Sequence, residues 1–139
     1  MRIGFTGTQK GMTRAQRSVL TSLLIIHDGE FHHGDCVGAD AQAHDYAKGF
    51  GYTTVIHPPI KPAKRAFKDG DHVLPHKDYL DRNKDIVRAA DMLIAAPAQM
   101  RDELRSGTWS TVRYARKLGR VVHVILPDGT LQAQPACAA

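Results

Sequence analysis

The segment Ser106-Gly107-Thr108-Trp109-Ser110-Thr111 has the residue types that speak most directly of chemistry. A glycine among hydroxyls at the start of a helix offers free backbone N–H groups and the positive end of the helix dipole, where phosphate is held. The same pattern also makes an ordinary capped helix, with Ser106 or Thr108 as the cap; spacing does not separate the two. Gly34-Asp35-Cys36-Val37-Gly38-Ala39-Asp40 is a second candidate. Gly34 and Gly38 permit a tight turn and close helix packing, and Asp35 or Asp40 could accept a hydrogen bond from a ribose hydroxyl. Asp40, in a first helical turn, is read first as dipole compensation. Gly7-Thr8 forms a third glycine turn, uninformative alone.

Metal chemistry is not expected. His32 and His33 are neighbours on a strand and point to opposite faces, and Pro75 between His72 and His76 spoils a helical pair. No paired ligand motif accompanies the eight histidines. Cys36 sits where a thiol pKa could fall, but without an evident base beside it a packing role is the simpler reading.

These loops need strands to present them. Arg2–Thr6 reads as a short buried strand and Thr13 as the cap of a helix carrying Val19, Leu20, Leu23, Leu24 and Ile26 at helical spacing. Glu30–His33, Thr53–Ile56, Asp91–Ala96 and Val121–Leu126 read as further strands. Ala39–Phe50, Asp78–Ala90 and Thr108–Leu118 read as helices between them. Strands alternating with helices predict βαβ units and an open parallel sheet, α/β and Rossmann-like, with about five strands in order 3-2-1-4-5 and helices on both faces. Ligands of such sheets bind beyond the carboxyl ends of the strands where the order reverses, here between the first and fourth. The three glycine loops meet there. Residues 1–129 are expected to form one domain, and 130–139 a loose tail.

The chain has 139 residues and a formal charge of +5, enough for one hydrophobic core. The charge is local. Residues 58–77 hold Lys61, Lys64, Arg65, Lys68 and Lys77 against two carboxylates, and 97–120 hold six cations against Asp102 and Glu103. Both segments flank the expected pocket, which directs the basic excess toward phosphate. With two cysteines, no apolar run near the ~20 residues of a membrane span and strand-like sequence from Met1, a cytoplasmic, reduced protein without a signal peptide is expected.

The motifs together resemble the SLOG superfamily, whose members include the LONELY GUY phosphoribohydrolases, from Met1 to about Gly129. Phe5-Thr6-Gly7-Thr8 resembles that family's first-strand turn, and Gly34 to Gly38 its glycine-rich second loop. Val55-Ile56-His57-Pro58 is similar to the third strand. Asp81-Arg82-Asn83 resembles the motif carrying the catalytic arginine. Ala90-Asp91-Met92-Leu93-Ile94-Ala95-Ala96-Pro97 and Gly107-Thr108 resemble the strand and turn of the phosphate loop. The resemblance implies nucleotide binding by Gly7, Thr8, Gly34, Asp35, Gly38, Asp40, Asn83 and Ser106 to Thr111, with Arg82 in a catalytic or phosphate-holding role and a homodimer as the assembly. No further cofactor is implied. Two departures stand out: Ala98–Arg105 is inserted after Pro97, and Thr111 occupies the position of the family's catalytic glutamate.

Cleaving an N-glycosidic bond develops an oxocarbenium-like sugar that a carboxylate stabilises. With the usual glutamate missing, Glu103 is the first candidate, followed by Asp102, Asp35 and Asp40. Three functions are therefore expected in order: hydrolysis or transfer at the glycosidic bond of a nucleoside 5′-monophosphate; non-catalytic sensing of an NAD-derived nucleotide; and single-stranded nucleic acid binding by Lys61–Lys68 with Phe67 as a stacking ring. Trp109 covers the base or sugar, or packs in the core. The Pro58–Lys77 loop is expected to close partly over the pocket through Lys61, Lys64 and Arg65, or to be a solvated or dimer-contact loop.

Overall fold

The computed structural model describes residues 1–134. β1 (Arg2–Gly7), α1 (Arg14–Ile25), β2 (Glu30–His33), α2 (Ala39–Gly49) and β3 (Thr53–Ile56) make the first half. A short 3₁₀ turn at Pro62–Lys64 and β4 (His72–Val73) lead to α3 (Tyr79–Ala89), β5 (Met92–Ala96), α4 (Gly107–Lys117), β6 (Val121–Ile125) and β7 (Leu131–Gln134). The sheet has seven strands in the order β4-β3-β2-β1-β5-β6-β7. All pairings are parallel except β6 with β7.

The α/β Rossmann-like architecture is thus as the sequence implies, and β3-β2-β1-β5-β6 is the expected 3-2-1-4-5 arrangement. The count of five is corrected to seven. β4 lies inside the loop 58–77 and has two residues, too few to show a period; it is held where Leu74 N–H donates to the Ile56 carbonyl at 2.9 Å. β7 lies in the expected tail: Leu131–Gln134 returns after the Pro127–Gly129 turn and pairs antiparallel with β6. Residues 135–139 of that tail lie outside the described residues.

Strand alternation divides the core. Ile3, Phe5, Phe31, Met92 and Ile94 project to one face, where α1 and α2 cover them with Leu20, Leu24, Ala43 and Ala47. Leu93, Ala95, Val122 and Val124 project to the other and meet Val87, Trp109, Val112 and Ala115 of α3 and α4. Each large side chain so buried contributes about 1.5–3 kcal/mol. Thr13 caps α1 in a capping box: Thr13 Oγ1 accepts from Gln16 N–H at 3.1 Å and Gln16 Oε1 accepts from Thr13 N–H at 3.0 Å. Gln16 Nε2 also donates to the carbonyls of Pro97 and Ile125, at 2.7 and 2.9 Å. One helix start thereby fixes the carboxyl ends of β5 and β6, the edge at which the loops converge. No helix among the described residues is long and apolar enough to cross a membrane.

Candidate functional site

A cavity of about 290 Å³ opens at that edge, over the carboxyl ends of β1 and β5. Its wall combines the β1 turn (Gly7 to Lys10), Cys36 and Asp40 from the second glycine loop, Tyr79, Arg82 and Asn83 from the first turns of α3, and Gln99, Ser106, Gly107 and Thr108. A larger cleft of about 800 Å³ adjoins it, sharing Gln9, Cys36, Tyr79, Ser106 and Gly107 and adding Ile60, Lys61, Lys64, Leu80, Leu104, Arg105 and Ser110 among others.

Arg82 dominates the inner cavity. It is 3% exposed, and its Nη1 donates to the Gly34 carbonyl at 2.6 Å and to the His57 carbonyl at 3.4 Å. Both terminal nitrogens stand 3.6 Å from Cys36 Sγ. Its Nε has no partner, and no carboxylate lies within 4 Å of the guanidinium among the described residues. Gly34 makes this placement possible: a Cβ there would stand 2.0 Å from Nη1. On the facing wall Ser106 caps α4, its Oγ accepting from Trp109 N–H at 3.2 Å. The amides of Gly107 and Thr108 have no intrahelical acceptor, as at any helix start. Gly107 is required by close approach too, since a Cβ would lie 1.5 Å from the Tyr79 hydroxyl.

Among the described residues Asp40 is the one carboxylate in the wall of the inner cavity. Its Oδ2 accepts from Gly34 N–H at 3.1 Å and from Cys36 N–H at 3.3 Å, while Oδ1 is buried without a partner. Burial raises its pKa to about 6, against the opposing pull of Arg82 and the two amides. The Cys36 thiol is pushed up by burial and by Asp40. At neutral pH it is a buried, protonated neighbour of the guanidinium, in keeping with a packing role.

Several expected site residues lie elsewhere. Asp35 is fully buried and lines neither cavity; its Oδ2 accepts from Arg65 Nε at 2.9 Å and its Oδ1 from Lys68 N–H at 3.0 Å. Each oxygen holds a structural partner and the residue is 0% exposed, out of reach of a ribose in either cavity. Arg65 is correspondingly a strut and not a lid residue, and its guanidinium covers the Phe67 ring at 4.7 Å. The Phe67 ring nevertheless stays 61% exposed. Lys61 and Lys64 do line the outer cleft, as does Ser110. Trp109 is 2% exposed in the core against α3 and β5, not over a ligand. Thr111 donates its hydroxyl to the Gly107 carbonyl one turn back, at 2.9 Å, and does not reach the cavity. Gly38 is the N-cap of α2, behind the wall. Glu103 is exposed on the inserted segment and lines neither cavity. Its neighbour Asp102 is paired with Arg113.

Gln9, Lys10 and Gln99 were not expected. Lys10, a cation three residues after Gly7, was the available signal; Gln99 lies in the insertion, where periodicity says nothing. Its Oε1 is buried without a partner. Four of the eight histidines form two separate pairs. His33 Nδ1 accepts from Asp35 N–H at 2.9 Å, so its Nε2 carries the proton toward His44 Nδ1 at 2.9 Å. His32 bridges Glu30 and His57. Burial holds His33 well below its ordinary pKa and lowers His57 to about 4, assisted by His32. Among the described residues no three His, Cys, Asp or Glu converge as a metal site.

Fold and site together define a Rossmann-like α/β protein with a cation-lined cleft at the carboxyl edge of its sheet. Among solved structures, the molybdenum cofactor binding protein of the phototrophic bacterium Rippkaea orientalis is similar, with TM-score 0.70 and 21% identity over 90% of this chain and 76% of that one. The Moco carrier protein of Chlamydomonas reinhardtii gives 0.65 and 20% over 91% and 75%. DNA processing protein A (DprA) of Streptococcus pneumoniae gives 0.65 and 19% over 88% of this chain but only 49% of that one. No family model and no curated protein matches the sequence. At these identities the likeness is one of fold, a Rossmann-like α/β architecture.

Proposed function

We propose that the inner cavity binds the phosphate of a nucleotide or nucleotide-derived ligand and that the outer cleft takes the rest of the molecule. The observation that carries this reading is Arg82. A buried guanidinium with an unpartnered Nε and no carboxylate within 4 Å is costly in the empty protein, and an anion relieves that cost. The helix start at Gly107 and Lys10 at the rim add donors and charge of the right sign. Ligand carriage by other proteins of this fold supports the reading: two neighbours are a molybdenum cofactor binding protein and a Moco carrier protein.

The test is thermal denaturation with nucleoside mono- and diphosphates, NAD-derived nucleotides and inorganic phosphate, since a ligand bound to the native state alone raises its stability. Saturable stabilisation that disappears in Arg82→Met is expected. A melting temperature unmoved by every compound would overturn the reading.

A second reading, cleavage at the N-glycosidic bond, is favoured by one observation: Asp40 stands in the cavity wall with a pKa of about 6, suited to proton transfer near neutrality. It takes the place that Glu103 was expected to fill. Release of free base from a nucleotide, lost in Asp40→Asn with binding retained, supports cleavage; binding without release leaves a sensor.

A further inference from the structure

Three cations of the outer cleft face no carboxylate. Lys61, Lys64 and Arg105 line that cleft, and none of them lines the inner cavity. Among the described residues no carboxylate comes within 4 Å of any of the three. Pro62–Lys64 is a 3₁₀ turn, and side chains three residues apart on such a turn stand on the same side. Lys61 and Lys64 thus enter the cleft as a pair. Arg105 joins its wall from the residue before the Ser106 cap of α4.

The lysine pair sits on a fixed frame and not on a lid. Pro62 opens the turn, and its carbonyl accepts from Arg65 N–H at 3.0 Å. The Lys64 carbonyl accepts from Val37 N–H at 3.0 Å, and the next residue, Arg65, is anchored by the buried Asp35. Just before the pair, Ile60 N–H donates to the Lys77 carbonyl at 3.2 Å. Like charges held side by side by backbone bonds repel one another, and an anion between them removes that repulsion. Asp78 and Asp81 also line the cleft, from the start of α3. Their charge is matched to that helix start, and it leaves the lysine side as the place for an anion. Tyr79 lies where the two cavities join, with Ile60 and Leu80 beyond it in the outer one. All three are exposed, apolar surface that a base or the face of a sugar covers.

We infer that the ligand carries two phosphates on different parts of the molecule, one at Arg82 in the inner cavity and one at Lys61, Lys64 and Arg105, as in a nucleoside 3′,5′-bisphosphate. The inference rests on the reading of the inner cavity as a phosphate site and adds the class of ligand. A nucleoside 5′-monophosphate leaves the outer cations unused. A 5′-diphosphate keeps its charge in one place, whereas the two sets of cations share no residue and belong to different cavities.

The experiment is isothermal titration calorimetry of the full chain with the 5′-monophosphates, 5′-diphosphates and 3′,5′-bisphosphates of adenosine, guanosine, cytidine and uridine. For the base that binds best, the bisphosphate should bind about tenfold more tightly than the monophosphate, the sum of three exposed ion pairs. The diphosphate should gain less than about threefold by the same reckoning. In Lys61→Gln/Lys64→Gln the ratio of bisphosphate to monophosphate affinity should shrink below about threefold, because one of the three pairs remains. Both side chains are exposed, and an unchanged melting temperature verifies the fold. Lys61→Arg/Lys64→Arg, which keeps the charge, should retain the ratio, whereas Arg82→Met should weaken both ligands alike. The inference fails, with the phosphate reading of the inner cavity intact, if monophosphates bind and the bisphosphate gains nothing. It fails in the same way if the diphosphate gains as much as the bisphosphate, or if the ratio survives in Lys61→Gln/Lys64→Gln. If no nucleotide of any set binds, both readings fall together.

Discussion

Two Asp–Arg combinations stand side by side at the strand ends, built from the same residue types and doing opposite things. Asp35 and Arg65 meet at 2.9 Å, and the second Asp35 oxygen takes Lys68 N–H. Backbone bonds from Val37 N–H to Lys64 O and from Ala66 N–H to Asp35 O, at 3.0 and 2.7 Å, close the junction. Nothing there is left over for a ligand. Asp40 and Arg82, a few residues and one helix away, share a cavity without pairing, and each keeps a buried polar atom without a partner. A folded protein completes its structural polar networks. The incomplete one is where a ligand is expected, and residue type alone does not tell the two apart.

Substitution should separate them most widely at Asp35. Asp35→Ala leaves Lys68 N–H and Arg65 Nε without their acceptor and puts alanine at φ 55°, a left-handed conformation that aspartate tolerates better. A loss of about 3–4 kcal/mol is expected in urea unfolding, near the lower end for breaking a buried pair because Arg65 can still reach water. The loop 61–68 should loosen with it, seen as faster hydrogen exchange at Ala66 and Lys68. Stability within about 1 kcal/mol of wild type would show that the junction is not a strut.

Asp40 should respond in the other direction. Its pKa is raised on folding, from 3.8 to about 6, so the native state binds the extra proton. Its contribution is complete below pH 4 and is lost as pH rises through 6. Asp40→Asn, which cannot ionise, should therefore gain stability over wild type between pH 4 and pH 7, by up to roughly 3 kcal/mol. His33 and His57 are lowered on folding and act oppositely, destabilising both proteins as pH falls below 6.5. The difference between the two curves cancels them. A constant difference across that window would mean that Asp40 ionises in the fold as it does in water.

For Arg82 the binding effect should exceed the stability effect. Arg82→Met removes a buried, uncompensated cation, and exchange of such groups for apolar ones is often neutral. Stability is expected to change by less than about 1.5 kcal/mol, while phosphate or nucleotide affinity falls about 100-fold, as for loss of charge-assisted hydrogen bonds. Gly34→Ala tests the same group without removing it. The new Cβ, 2.0 Å from Nη1 and 2.6 Å from Cζ, displaces the guanidinium, and about a tenfold loss of affinity is expected. That corresponds to about 1.4 kcal/mol. Equal affinity in Gly34→Ala would mean that the position of Arg82 does not set binding.

Periodicity and turn residues made the central sheet and its cleft legible, because Met92–Ala96 is a continuous apolar run, Val121–Ile125 is apolar but for His123, and glycines mark the strand ends. β4 was hidden: two residues in a proline-rich loop carry no period, and only the partner strand makes them a strand. Gly34, Arg82 and Gly107 were singled out through their motifs, and the fold places Arg82 and Gly107 in the wall of one cavity. Their reasons were not legible, since each glycine is explained by a side chain distant in sequence, Arg82 for Gly34 and Tyr79 for Gly107. The same distance hid the assignment of the two aspartates. Asp35 is committed to residues 30 and 33 positions away, and the first-turn position of Asp40 suggested dipole compensation when its carboxylate also faces the cavity. Trp109 shows the limit of a local motif: α4 points its 106–108 end at the cavity, and the next residue turns into the core.

Glu103 is the weakest of the contrasts and the clearest on catalysis. The chemistry of glycosidic cleavage needs a carboxylate beside the reacting carbon, and the sequence offered Glu103 because the inserted segment follows β5 directly. In the fold that segment turns outward. The Glu103 backbone carbonyl accepts from Ser106 N–H at 3.1 Å, a turn that sends the side chain to solvent, while Asp102 is tied to Arg113. Glu103→Gln should therefore leave stability within about 0.5 kcal/mol and nucleotide affinity within about twofold. Any base release should be unchanged, whereas Asp40→Asn abolishes it. A selective loss of turnover in Glu103→Gln, with binding intact, would mean that the insertion folds inward over a bound nucleotide and that the cavity is completed by its ligand.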